Sequence, residues 1–119
     1  MKKTLVLGAS TNPSRYSYMA ICSLLQHGFE VVALGNKIGS VKGIDIQTKS
    51  EFFADIDTVT LYLSPTNQVP YYQYIINLKP SRVVFNPGAE NAEFEQMLQL
   101  EGIETLQACT LVMLSTHQY

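Results

Sequence analysis

Apolar residues in this chain fall into short bursts separated by polar turns. Thr4-Leu5-Val6-Leu7 is long enough for a strand and too short for a helix. Similar bursts recur at Glu30–Leu34, Thr58–Leu63 and Arg82–Phe85, a last strand is expected around Glu104–Gln107, and Ile44-Asp45-Ile46 alternates as a short edge strand does. Between the bursts the spacing becomes helical. Tyr18, Ile21, Cys22 and Leu25 share one face of a helix that Gly28 closes. Tyr72, Ile75 and Ile76 form the inner face of a second helix, with Thr66 or Asn67 as its cap and Pro70 in or near its first turn. Phe94, Met97, Leu98 and Glu101 repeat the spacing in a third, capped by Asn91 and ended by Gly102. Ser50 and Glu51 predict a brief helix carrying Phe52 and Phe53. Residues 39–43 read as loop, and Leu111–Leu114 as an apolar tail.

Strands alternating with helices of this length call for right-handed crossovers and therefore a parallel sheet. Strands that are apolar almost throughout fit a sheet covered on both faces. The expectation is an α/β, Rossmann-like, doubly wound and mainly parallel sheet of about five strands, with helices on both faces. In such a sheet ligands bind beyond the carboxyl ends of the strands, which singles out Gly8–Ser14, Gly35–Lys37, Ser64–Asn67 and Asn86–Ala89.

Composition narrows the picture. A chain of 119 residues reads as one domain spanning 1–119. A formal net charge of −2 offers no electrostatic case for nucleic acid. No apolar run approaches the roughly 20 residues of a membrane span, and the first one stops at Gly8, too early for a secretion signal. Two cysteines without close spacing predict neither a disulfide framework nor a zinc site, and no other metal site is expected. The cytoplasm is the expected location.

The first turn carries the most chemistry. Gly8, Ala9 and Ser10 leave room for an anion to approach the unpaired N–H groups at the start of the next helix, and Ser10 and Thr11 add hydroxyls. The same small residues would equally well close any tight strand-to-helix turn. The turn lacks the three glycines of a dinucleotide fingerprint and the Gly-Lys-Ser/Thr of a P-loop. The second strand ends in Asn36 and Lys37 where an NAD site usually offers a carboxylate. Lys37 suits a phosphate on the ribose, as NADP or coenzyme A presents one, although a solvated loop lysine would look the same.

Gly8-Ala9-Ser10-Thr11-Asn12-Pro13-Ser14-Arg15-Tyr16, the helix ending Leu25-Gln26-His27-Gly28-Phe29-Glu30-Val31, and the tyrosine-rich helix near Val69-Pro70 resemble the small CoA-binding proteins. These are similar to the N-terminal domain of the succinyl-CoA synthetase α subunit. The resemblance implies that Gly8, Ala9, Ser10 and Asn12 cradle the CoA diphosphate and that Arg15 reaches the same phosphates. It implies that Lys37 meets the adenosine end with its ribose phosphate. Ser64, Pro65 and Asn67 match the turn bordering nucleotide and pantetheine arm, and Asn86, Pro87 and Gly88 the turn near the pantetheine path. The chain departs from the family where Val-Asn-Pro commonly ends the second strand and Gln-x-Gly follows the fourth. Here those turns read Leu34-Gly35-Asn36-Lys37 and Asn86-Pro87-Gly88.

No catalytic constellation is legible. His27 lies in the last turn of a helix, His117 in the tail, Cys22 on a core face, and Cys109 in a turn after the last strand. The later domain that carries the synthetases' phosphorylated histidine has no counterpart in this stretch. The expected function is non-catalytic binding of coenzyme A or an acyl-CoA, as sensor, carrier or subunit beside a catalytic chain. Two other readings stand beside it. One is an NADP-dependent oxidoreductase or nucleotide-binding subunit. The other is a ligand-free interaction module, such as a homodimer using Tyr71, Tyr74 and Leu111–Leu114.

Overall fold

A computed structural model describes residues 2–119. Strands β1 (Lys3–Leu7), β2 (Glu30–Leu34), β3 (Gly39–Val41), β4 (Ile44–Gln47), β5 (Ile56–Leu61), β6 (Arg82–Phe85) and β7 (Glu104–Gln107) form one sheet. Helices α1 (Tyr16–Gln26), α2 (Pro65–Gln68), α3 (Tyr72–Leu78), α4 (Ala92–Leu100) and α5 (Thr110–Ser115) connect or follow them. The strand order is β3-β4-β2-β1-β5-β6-β7, and every pairing is parallel except β3 with β4. This is the expected doubly wound α/β class.

Alternation along β1 explains the two covered faces. Leu5 and Leu7 join Ile75 and Leu78 of α3 and Phe94 and Leu98 of α4. Val6, pointing the other way, joins Ile21 and Leu24 of α1 and Leu114 of α5. All of these are buried, each contributing about 1.5–3 kcal/mol of transfer free energy. The buried face of α1 is Ser17, Ala20, Ile21 and Leu24, one residue away from the expected stripe. Small Ser17 and Ala20 let the helix approach the sheet, leaving Tyr18, Cys22 and Leu25 half-buried at its flanks.

Several local expectations are corrected. The sheet has seven strands because residues 39–43, expected as loop, hold β3 and the start of a hairpin. Lys42 and Gly43 both have positive φ (51° and 84°), the geometry of a tight two-residue hairpin turn. Residues 50–53 form no helix. Phe53 packs on the core while adjacent Phe52 stays exposed, and the Glu51 carbonyl accepts from the Tyr74 hydroxyl (2.6 Å) rather than from a helical N–H. The helix expected after Ser64 is broken. Ser64, not Thr66 or Asn67, is the cap, Pro65 takes the first position, and α2 passes through a 3-10 turn (Val69–Tyr71) into α3. Pro70 has no N–H to continue the α-helical ladder. The apolar tail is helix α5, lying against α1. Tyr71 and Tyr74 are half-buried against the core rather than displayed.

Candidate functional site

β1 lies between β2 and β5, so the strand order reverses there, and the crevice beyond its carboxyl end is where such sheets take ligands. Backbone approaches too close for a side chain build this crevice. Gly8 and Ala9 both donate their N–H to the Leu34 carbonyl (2.9 and 3.0 Å). Gly8 adopts φ +96°, and a Cβ on it would stand 2.9 Å from the Tyr62 carbonyl oxygen. A Cβ on Gly35 would stand 2.4 Å from the Ala9 carbonyl oxygen, so a glycine is needed where the turns after β1 and β2 meet.

The turn leading into α1 is shaped by its own side chains. Ser10 Oγ accepts from the Asn12 N–H (3.0 Å), and Asn12 Oδ1 accepts from the Ser14 N–H (3.0 Å) and hydroxyl (2.7 Å). α1 then begins without a side-chain cap and without an acidic residue in its first turn. Its leading N–H groups, and the partial positive charge there, remain available to an anion.

Three adjoining pockets run across the strand ends. The widest, about 610 Å³, lies over the ends of β2, β1 and β5, with Ser10, Arg15, Asn36, Ser64 and Asn67 in its walls. The next, about 240 Å³, shares Gly8, Ser10, Arg15 and Ser64 with it and reaches Pro87 and Gly88 after β6. The third, about 200 Å³, shares Tyr16, Tyr62 and Pro87 with the second and extends to Cys109 and Leu111 beside α5. Among the described residues, Arg15 is the one charged side chain lining the two larger pockets, so the crevice suits an anion.

Of the residues singled out in the sequence, Gly8, Ala9, Ser10, Arg15, Ser64, Asn67, Pro87 and Gly88 line these two pockets. Asn12, Lys37 and Pro65 do not. Asn12 holds the turn, exposed Lys37 sits next to the lining residue Asn36, and Pro65 starts α2. Asn86 lines only the third pocket, and its amide is engaged internally. Its Nδ2 donates to Thr60 Oγ1 (2.7 Å) and the Leu61 carbonyl (2.9 Å), and its Oδ1 accepts from the Thr110 N–H (2.9 Å). It clamps β5, β6 and α5 together beneath the crevice. The Gly88 N–H donates to Glu90 Oε1 (2.8 Å).

Two important residues were not foreseen. Gln68 is fully buried and donates through Nε2 to the carbonyls of Leu63 (2.9 Å) and Ala89 (2.7 Å), two residues of the crevice wall. Its Oε1 accepts from Asn91 Nδ2 (2.9 Å), and Asn91 also caps α4 through Phe94 N–H (3.1 Å). Nothing in the sequence marks a glutamine after a proline turn as buried. Tyr62 lines all three pockets. Its place directly after a strand at the reversal point was the available signal. Its hydroxyl is buried beside the Thr60–Thr110 hydroxyl pair without completing a hydrogen bond, and burial pushes its pKa up to about 12.

Neither histidine lines the crevice. The two rings lie edge to face at 6.4 Å, with His27 Nδ1 at 2.7 Å from the Ser23 carbonyl. Among the described residues there is no group of three or more His, Cys, Asp and Glu side chains able to hold a metal ion. No helix there is long and apolar enough to cross a membrane.

Comparison with known proteins adds to this geometry. The family model described as a CoA binding domain matches residues 2–115. No curated protein matches the chain. Among solved structures, the crystal structure of an uncharacterized protein is 49% identical with a TM-score of 0.98, covering 100% of this chain and 98% of its own. A protein from Thermus thermophilus is 21% identical with a TM-score of 0.87, covering 99% and 90%. The dinucleotide-forming acetyl-coenzyme A synthetase 1 of Ca. Korarchaeum cryptofilum, in complex with phosphate and ADP, is 18% identical with a TM-score of 0.73. The match covers 90% of this chain and 25% of that one. At such identities the last two likenesses are of fold alone.

Proposed function

The chain belongs to the family of CoA binding domains, and from that premise we propose that it binds coenzyme A or an acyl-CoA, without catalysis of its own, in the crevice beyond β1 and β5. The observation that carries the reading is the family match across residues 2–115. The crevice supports it physically, with an uncapped helix start, hydroxyls and one cation at the wide end and a narrower passage toward β6. The diphosphate would lie over Gly8, Ala9 and Ser10 against the start of α1, with Arg15 supplying countercharge. Lys37, exposed beside Asn36, would pair with the phosphate on the ribose. The pantetheine arm would pass Ser64 and Asn67 toward Pro87 and Gly88. Asn12, Asn86 and Gln68 act as positioning residues that hold these turns.

The role we propose with it is that of a sensor, a carrier or a subunit beside a catalytic chain. The likeness to one quarter of a larger synthetase makes a catalytic partner chain a reasonable expectation.

A thermal-shift titration with CoA, 3′-dephospho-CoA, NAD and NADP tests the reading. A ligand at about 100 times its dissociation constant stabilises the folded state by roughly 2.7 kcal/mol, a shift of several degrees here. CoA is expected to give that shift, less so without its 3′-phosphate, and Lys37→Ala should erase the difference between the two. A response to NADP alone would replace this reading with a dinucleotide site, and silence from all four would remove it.

A further inference from the structure

We propose that the third pocket, beside α5, receives the acyl chain of the ligand, so that the preferred ligand is a short, uncharged acyl-CoA thioester rather than free CoA. This rests on the CoA-binding reading above. The order of the pockets carries the argument. Across the sheet from β2 to β7, the crevice narrows from about 610 through 240 to 200 Å³. Its walls change in the same direction, from Ser10, Arg15, Asn36 and Asn67 to Tyr16, Tyr62, Pro87, Cys109 and Leu111. A molecule with an anionic nucleotide at one end, a thin arm, and hydrocarbon at the other matches that sequence of spaces. The narrow end shares Tyr16, Tyr62 and Pro87 with the middle pocket, so an arm reaching Pro87 delivers its terminus there.

The lining sets the chemical class. Asn86 has its amide engaged with Thr60, Leu61 and Thr110, and the Tyr62 hydroxyl is buried against the threonine pair. A cysteine that no charged group lines up with packs as a small hydrophobe. Among the described residues no cation lines the pocket, so an acyl group ending in a carboxylate would lose hydration there without a partner. Size sets the upper limit. An enclosed apolar cavity of about 150 Å³ accommodates benzene, so 200 Å³ suits a chain of butyryl dimensions, and most of a fatty acyl chain would lie outside it.

Isothermal titration of the whole chain with CoA, acetyl-, butyryl-, succinyl- and palmitoyl-CoA tests this. Affinity is expected to rise about fourfold per buried methylene, hence roughly tenfold or more from acetyl- to butyryl-CoA. Succinyl- and palmitoyl-CoA should fall below butyryl-CoA. Leu111→Phe, which fills the pocket, should abolish the butyryl advantage while leaving free CoA binding unchanged. Cys109→Met fills it from another wall and serves if the first variant fails to fold. Equal affinity for CoA and butyryl-CoA, or a butyryl advantage that survives both fillings, would overturn the acyl pocket while leaving CoA binding intact. Failure of every CoA species to bind would instead remove the underlying reading and the acyl pocket with it.

Discussion

Replacing Gln68 tests how the crevice walls are held. Its side chain is fully buried and makes three hydrogen bonds, two donated to Leu63 and Ala89 carbonyls and one accepted from Asn91. At about 1 kcal/mol net for each bond, Gln68→Ala should cost roughly 3 kcal/mol, with a further contribution from the cavity it leaves. For a domain of this size that is a fall in Tm of roughly 10 °C or more. Gln68→Met restores the volume without the bonds, so it should retain most of the loss and isolate the polar contribution. Urea denaturation followed by circular dichroism measures both, with an unchanged slope marking a true stability effect. A double-mutant cycle with Asn91→Ala should show coupling of about 0.5–3 kcal/mol, because the two side chains share a bond. If Gln68→Ala and Gln68→Met each cost less than about 1 kcal/mol, the buried bridge does not hold the crevice. CoA affinity should fall with the alanine variant even under conditions where it is fully folded, since Leu63 and Ala89 line the crevice.

Other expectations follow from single contacts. Gly35→Ala drives a methyl group to 2.4 Å from the Ala9 carbonyl oxygen, and should cost about 1–3 kcal/mol by thermal melting and weaken CoA binding. Tyr62→Phe removes a buried hydroxyl that lacks a partner, so stability at neutral pH should stay level or rise by up to about 1 kcal/mol. With the folded pKa of Tyr62 near 12 and the unfolded value near 10, the folded state holds the proton longer. Stability is therefore full below about pH 10 and declines from there toward pH 12, a loss that Tyr62→Phe should reduce in alkaline unfolding curves. Tyr119→Ala removes a hydrogen bond to Thr4, an edge contact with Phe29 at 5.0 Å and the Arg82 guanidinium 4.6 Å from its ring. It should lower the melting temperature without changing CoA affinity, because these residues lie at the opposite ends of the strands from the crevice.

The fold class was legible because parallel strands and their crossover helices differ in hydrophobic period, and β1, β2, β5 and β6 each read as an apolar burst. The hairpin of β3 and β4 was only half legible. Its turn is Lys42-Gly43 rather than Asn-Gly, and Lys42 gives no sequence hint of its positive φ. The helix expected at residues 50–53 does not form: the segment is irregular, with Phe53 packed on the core and Phe52 left exposed. At the site, the backbone-governed features were readable, since Gly8, Ala9 and Ser10 announce a turn with room in it. The side-chain network was not. Asn86 looks like a ligand-facing turn residue and also clamps three elements, while Gln68, which carries no mark of burial in the sequence, spans two walls. Such assignments depend on which distant carbonyls come within reach, and local pattern does not encode that.

The most direct test of the central claim is a two-dimensional amide NMR titration of the isotope-labelled chain with CoA. The account predicts shifts concentrated at Gly8–Arg15, at the leading residues of α1, and at Tyr62, Ser64 and Gly88. The hairpin and Tyr119 should stay still. Shifts centred elsewhere, or none at saturating CoA, would contradict it.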